Sequence, residues 1–146
     1  MYKVIVVGTD GSERAAVAVA HAFELAKMSG ATLHAIQVVH PAVKAGFSDS
    51  SGGQLELDKM REHAEKSREK LLAEAARRGV AAEVHDVPGD DVADTIVKAA
   101  ENLGSDLIVV GNRGMSGVSR FVLGSVPNKV SHHCPCSLLI VNTEPD

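Results

Sequence analysis

The sequence predicts an α/β fold, a five-stranded parallel open sheet with helices on both faces. Short apolar runs of strand length alternate along the chain with longer segments of helical periodicity. The runs at residues 4–7 and 107–110 are continuously apolar, which is typical of strands buried on both faces. Strict alternation favours this Rossmann-like architecture, because each parallel strand is reached by a right-handed crossover.

The first half of the chain supplies two strands and two helices. Residues 3–8 form the first strand, and the following helix has Ser12 as its N-cap and Gly30 as its C-terminal glycine. Residues 32–39 form the second strand. A stretch at about 42–54 is rich in Gly and Ser and is expected to be a flexible loop. A long helix then runs from about residue 56 to 78.

The second half repeats the alternation. Residues 81–87 form the third strand, and Asp91 can cap the next helix, which Gly104 ends. The fourth strand covers residues 107–110 and leads into a glycine-rich loop. A helix at about 126–133 and a fifth strand at 138–141 complete the order β-α-β-α-β-α-β-α-β.

Composition limits the number of domains and the classes of partner. With 146 residues, 45% hydrophobic and 23% charged, the chain suits one domain over residues 1–146. A net charge of −4 without a long basic block disfavours nucleic acid and anionic membranes as partners. Two cysteines, no leader-like start and no apolar run of about 18 residues predict a cytoplasmic protein.

The glycine-rich loop carries the strongest functional signal. Gly111, Gly114, Gly117 and Gly124 follow the fourth strand, and Ser125 stands where a helix begins. Glycines leave main-chain N–H groups bare and permit concave turns that hold phosphate oxygens. The N-terminus of the helix adds further N–H groups and the positive end of its dipole. The pattern therefore predicts a nucleotide phosphate site.

Two other segments are expected beside this loop. In open parallel sheets, ligands bind beyond the carboxyl ends of the strands, where the strand order changes direction. The turn at residues 8–12 leaves the first strand and residues 38–40 leave the second. The topology should therefore gather both segments and the glycine loop into one cleft.

The spacing Gly111, two residues, Gly114, nine residues, Gly124-Ser125 resembles the ATP-binding branch of the universal stress protein family. The likeness covers essentially the whole chain, including the opening at residues 6–12 and the ending at 134–141. It implies the adenine nucleotide alpha hydrolase-like form of the fold. It also implies that Asp10 and the backbone at Val38 contact adenine and ribose. The phosphate contacts that it implies are Gly111, Gly114, Gly124 and Ser125. The same cleft is expected to be lined by Gly8, Thr9, Asn112, Arg113, Ser116, Gly117 and Val126.

The resemblance further implies a nucleotide-dependent regulator or sensor in the stress response. ATP is the expected ligand, with Mg²⁺ carried on its phosphates, and an unidentified protein is a further partner. Residues 137–142, an apolar edge strand, are expected to pair with a second copy to give a homodimer. A nucleotide-independent interaction module and a weak ATPase stay open as alternatives.

Several of these residues have a purely structural interpretation as well. Asp10 is also a favoured turn residue, and Ser125 is a natural N-cap with or without a ligand. Arg113 and Arg120 are expected to be mobile surface cations, one of which can screen the polyphosphate. Hydrolysis needs a positioned water, an orienting group and concentrated positive charge, and the sequence identifies no such set, so no catalytic residue is predicted.

Other sites are disfavoured by residue spacing. A structural zinc site at His132, His133, Cys134 and Cys136 lacks a second, separated ligand pair, and Cys136 is expected in the core, so no metal site is predicted. The Ser and Gly residues at 50–53 follow the wrong strand for a pyrophosphatase loop and are interpreted as linker. Neither a Walker A tripeptide nor a Gly-x-Gly-x-x-Gly turn is present. The few aromatic residues disfavour flavin, and the acidic set of a phospho-receiver domain is missing.

Overall fold

Five strands and five helices make up the computed structural model, which describes residues 1–45, 51–113 and 123–144. All five predicted strands and all four predicted helices occur in it, together with one short helix that the sequence did not predict. In chain order the elements are β1 Val4–Thr9, α1 Glu13–Ser29, β2 Thr32–Val39, α2 Pro41–Ala45, α3 Ser51–Arg78, β3 Ala82–Pro88, α4 Val92–Leu103, β4 Leu107–Gly111, α5 Ser125–His133 and β5 Ser137–Val141.

The strands form one parallel sheet in the order β3-β2-β1-β4-β5. The chain winds outward from β1 to β3 on one side, then returns to the centre and continues through β4 to β5 on the other. The strand order therefore changes direction between β1 and β4, which is the position where open α/β sheets bind ligands. The predicted fold class is confirmed, and β5 lies at one edge of the sheet as expected.

Local capping signals account for the ends of two helices. The Ser12 hydroxyl accepts a hydrogen bond from the Ala15 N–H over 3.1 Å at the start of α1. The Asp91 carboxylate accepts from the Asp94 N–H over 2.9 Å at the start of α4. Both helices end at a glycine with positive φ, Gly30 at 71° and Gly104 at 66°, as predicted.

The alternation of side chains along the strands divides the core into two layers. Ile5, Val7 and Leu33 belong to the layer that packs against α1 and α3. Val6 and Ile108 point to the opposite face, against α4 and α5. Each side chain buried this way contributes roughly 1.5–3 kcal/mol. The continuous apolar runs thus serve both faces of the central strands.

The predicted loop at about 42–54 is wrong for most of its length. Pro41–Ala45 forms α2, since proline has the φ of a first helical turn and needs no N–H bond there. Helix α3 begins at Ser51 instead of near residue 56, and its first turns are supported by a 3.1 Å hydrogen bond from the Gln54 amide to Asp58. The linker interpretation of residues 51–53 is wrong for the same reason, and residues 46–50 lie outside the described part of the chain.

Candidate functional site

A cleft of about 130 Å³ opens at the switch point between β1 and β4. Its floor is formed by the ends of β1 and β4 and its walls by β2, α4 and the start of α5. Of the predicted site residues, those that line it are Gly8, Thr9, Asp10, Val38, Gly111, Arg113 and Val126; Ser12, Ala15, Ile36, Val92, Ile96, Val110 and Pro127 complete the lining.

Gly8 allows α4 to approach the floor of this cleft. A Cβ atom at position 8 would lie 2.6 Å from Ile96 Cδ1, which is closer than real side chains pack. Ile96 is itself 2% exposed and belongs to the core layer under α4. A side chain at position 8 would therefore force the buried Ile96 side chain to move, and Ile96 lines the cleft.

The turn after β1 is held by its own side chains. The Ser12 N–H donates to Asp10 Oδ1 over 2.8 Å, and the Gly11 N–H donates to Thr9 Oγ1 over 3.1 Å. His63 on α3 places Nε2 at 2.9 Å from the Asp10 carbonyl oxygen, so Nε2 must be the donor of this bond. Asp10 thus has the turn role that its residue type favours, and its side chain remains at the exposed mouth of the cleft.

Asn112 connects β4 to the chain after β5. Its Oδ1 accepts hydrogen bonds from both the N–H and the hydroxyl of Thr143, each over 3.0 Å. Its main-chain N–H donates to the Val141 carbonyl oxygen over 2.8 Å. Asn112 does not line the cleft, and its side chain connects the end of β4 to the residues after β5.

Arg113 is buried, and the prediction of a mobile surface cation is wrong for it. The residue is 7% exposed, and its Nη1 lies 2.6 Å from Glu144 Oε1. The partner carboxylate comes from the chain after β5, so no local pattern signals the pairing. Arg113 nevertheless lines the cleft and places a fixed positive charge in its wall. Arg120 lies outside the described residues.

The start of α5 stands beside the cleft, although its cap differs from the prediction. Gly124 is the N-cap, with extended backbone and no side-chain cap, and Ser125 is the first helical residue. The predicted N-cap at Ser125 is therefore wrong by one position. The Gly124 N–H donates to the Asn112 carbonyl oxygen over 2.9 Å, and Val126 lines the cleft. Neither Gly124 nor Ser125 is a lining residue, and Gly114, Ser116 and Gly117 lie outside the described residues.

A second cleft shares Thr9, Asp10 and Val38 with the first. It has a volume of about 380 Å³ and lies between the end of β2 and α3. Val39 and His40 also line it, in the segment 38–40 that the sequence places at this edge. The sequence did not predict the remaining lining residues, which are Gln37, Val43, Glu56, Lys59, Met60, His63 and Ala64. Those on α3 carry no motif, because only the packing of this long helix brings them to the sheet edge.

A larger cleft of about 490 Å³ lies elsewhere, between β3 and α4. Volume alone would favour it as the binding site. The switch-point clefts are favoured here because strand ends, glycine turns and a helix N-terminus converge on them, and such groups recognise ligands specifically.

Fold and cleft together define a doubly wound α/β protein with a cleft at its topological switch point. A sequence model of a protein family, described as the universal stress protein family, matches residues 1–142. Universal stress protein YxiE of Bacillus subtilis is 36% identical over 148 aligned residues, which cover 97% of this chain and 99% of YxiE. This chain belongs to the universal stress protein family, as the sequence motifs indicated.

Solved structures agree with this assignment. The structure of the hypothetical protein MJ0577 has a TM-score of 0.83 at 27% identity, covering 100% of this chain and 99% of that one. A universal stress protein crystallised in complex with cAMP has a TM-score of 0.73 at 29% identity, covering 98% of both chains.

Across residues 1–45, 51–113 and 123–144, no helix combines the length and apolar character needed to cross a membrane.

Proposed function

We propose that the switch-point cleft binds an adenine nucleotide, ATP with Mg²⁺ in the first instance, and that occupancy makes the protein a cytoplasmic regulator or sensor in the stress response. The supporting observation is that the β1 turn, Val38, Gly111 and the start of α5 meet at one edge of the sheet. The related universal stress protein that was crystallised with cAMP supports an adenine nucleotide as the ligand class.

The phosphates are assigned to the side of the cleft formed by β4 and α5. The first N–H groups of a helix lack partners within the helix, and the helix dipole favours an anion beside them. In the proposal the N–H of Ser125 serves this role, since the Gly124 N–H is already donated to the Asn112 carbonyl oxygen. Gly111, Gly114 and Gly124 are the other proposed phosphate contacts, with Ser116 and Gly117 beside them. The buried Arg113, in an ion pair with Glu144, lies in the same wall.

The nucleoside is assigned to the side formed by β1 and β2. Thr9, Asp10 and Val38 belong to both switch-point clefts, so a base and ribose seated there have the larger space toward α3 available. The Asp10 carboxylate accepts ribose or adenine hydrogen bonds in this proposal, and the Val38 backbone contacts adenine. The cleft toward α3, of about 380 Å³, lies within the range of about 300–1,000 Å³ that is common for ligand sites.

Ligand-dependent stability tests the proposal. Unfolding by urea, measured with and without Mg-ATP at a hundredfold excess over Kd, should show a stabilisation of about 2.7 kcal/mol. Parallel titrations with AMP, ADP, cAMP and GTP establish the preferred phosphate number and base. A shift of zero with every nucleotide would leave the nucleotide-independent interaction module as the better account. Release of ADP at a rate that falls in Asp10→Ala would instead favour the weak ATPase.

We also propose that β5 forms a homodimer. Val141 directs its carbonyl toward β4, where it accepts from the Asn112 N–H, so the backbone groups of Leu138, Ile140 and Asn142 face the open side of this edge strand. Pairing with residues 137–142 of a second copy would satisfy those groups. Ile140→Lys should give monomers in size-exclusion chromatography, whereas the β-branched Ile140→Thr should remain dimeric. Dimers that survive Ile140→Lys in a folded variant would refute this interface.

A further inference from the structure

Three side chains with metal-binding atoms meet on β2 and β3, away from the switch-point clefts. His34 Nδ1 lies 3.0 Å from His85 Nε2 and 3.2 Å from Glu83 Oε2. The strand register explains the meeting, because His34 pairs with Glu83 and Ile36 pairs with His85. Cross-strand partners and residues two apart share a face, so all three side chains rise from the same face of the sheet.

Hydrogen bonding uses this arrangement only in part. If His34 Nδ1 is the donor, its one hydrogen is shared between His85 Nε2 and Glu83 Oε2, and each of the two bonds is weaker than a single well-aligned one. If Nδ1 instead accepts from the His85 ring, its lone pair faces the Glu83 carboxylate. A cation between the three atoms would attract all three of them.

Burial and solvent access differ across this group. The side chain of His34 is 9% exposed, so its ring is held in place by the protein around it. The Glu83 side chain is 64% exposed, so an ion can reach the group from solvent.

We propose that His34, Glu83 and His85 bind a zinc-type divalent transition-metal ion, with water completing the coordination. Tetrahedral zinc with bonds of about 2.0–2.1 Å has ligand atoms roughly 3.3 Å apart, close to the two contacts observed here. Two imidazoles and one carboxylate are a known catalytic zinc ligand set, whereas Mg²⁺ and Ca²⁺ prefer oxygen ligands alone. Of the described residues, these three form the group that can hold a metal.

Titration calorimetry with Zn²⁺ on chelator-treated, nucleotide-free protein tests the site independently of the proposed nucleotide function. The expected result is one ion per chain, with affinity at least tenfold lower in His85→Asn and in Glu83→Gln. His21→Asn, which alters an exposed imidazole on α1, is the matched control and should bind as the unchanged protein does. Co²⁺ in place of zinc should give visible absorption that His85→Asn abolishes.

One further variant separates this site from the cysteines near β5. Zinc binding that survives both His85→Asn and Glu83→Gln, or that is lost in the Cys134→Ser, Cys136→Ser double variant, would overturn the proposal. Absence of one-to-one binding would overturn it as well. Circular dichroism in EDTA checks folding, and Glu83→Gln decides the outcome if His85→Asn does not fold, because the Glu83 side chain is mostly exposed.

Discussion

The Gly124 N–H donates a 2.9 Å hydrogen bond to the Asn112 carbonyl oxygen. This bond joins the residue before α5 directly to the residue after β4. Asn112 is in turn tied to Val141 and Thr143 around β5. These contacts hold the N-terminus of α5 beside the cleft. A site is preorganised when its donors are held in place in this way before a ligand binds.

Gly124→Ala should disturb this closure. The backbone at position 124 has φ −60°, which alanine adopts freely, but its Cβ would lie 3.0 Å from the Asn112 carbonyl oxygen. We expect the free energy of unfolding to fall by about 1 kcal/mol, which is at the low end of the cost of overpacking. Mg-ATP should also bind more weakly. Urea unfolding and nucleotide titration measure the two effects. Asn128→Ala, an exposed change on the same helix, is the control, and equal behaviour of both variants would contradict the role given to Gly124.

Asp10→Asn should separate the turn role of Asp10 from its proposed ligand role. Asparagine keeps an Oδ1 acceptor for the Ser12 N–H, so the turn and the stability of the unliganded protein should be retained. The carboxylate charge and one acceptor are lost, and Mg-ATP affinity should fall about tenfold, equivalent to about 1.4 kcal/mol. Calorimetry measures the affinity. If Asp10→Asn binds nucleotide normally and only Asp10→Ala fails, Asp10 acts through the turn alone.

Local signals account for what the sequence predicted well. Ser12 and Asp91 cap their helices as expected, and Gly30 ends α1 with positive φ, because each depends on residues within one helical turn. The continuous apolar run of β4 gave its position to within one residue. From these elements the parallel topology followed, and with it the meeting of the turn after β1 with the end of β4.

Contacts between distant parts of the chain account for what the sequence did not predict. Arg113 is buried because Glu144 returns to it after β5, and His63 reaches the Asp10 carbonyl from another element. The His34 and Glu83 contact depends on the register of β2 against β3, and the spacing of these residues along the chain gives no sign of it. The N-cap of α5 was misplaced by one residue, since the bond from Gly124 to Asn112 fixes where the helix begins.

Glu144→Gln should destabilise the unliganded protein. The change removes the carboxylate charge that Glu144 sets 2.6 Å from Nη1 of Arg113, a residue that is 7% exposed in the cleft wall. Removing one partner of a buried pair can cost up to about 3–5 kcal/mol, and a value near 2 is expected because a polar amide remains. Urea unfolding at low and high salt measures it. A loss that vanishes at high salt would show that the pair behaves as a surface ion pair instead.

Cys136 should be an unreactive thiol in the folded protein. Burial raises the pKa of the Cys136 thiol to about 11, with Cys134 adding to the rise, and its Sγ lies 3.5 Å from the Ser137 carbonyl oxygen. Only the thiolate is nucleophilic, and a free cysteine has a pKa of about 8.5, so alkylation by iodoacetamide at pH 8 should be on the order of a hundredfold slower than for a free thiol.

Mass spectrometry of the alkylated peptides distinguishes Cys136 from Cys134 in the same sample. The rate at Cys136 should rise as the pH is raised toward 11, because the thiolate fraction increases through that range. Protein unfolded in guanidinium is the matched control, since exposure to solvent removes the desolvation that raises the pKa and should restore rapid labelling. Cys136 packs against the core layer under α4 and α5, so this region should stay closed in the folded protein. If the folded protein were labelled as fast as the unfolded protein, β5 and the residues before it would have to open readily to solvent.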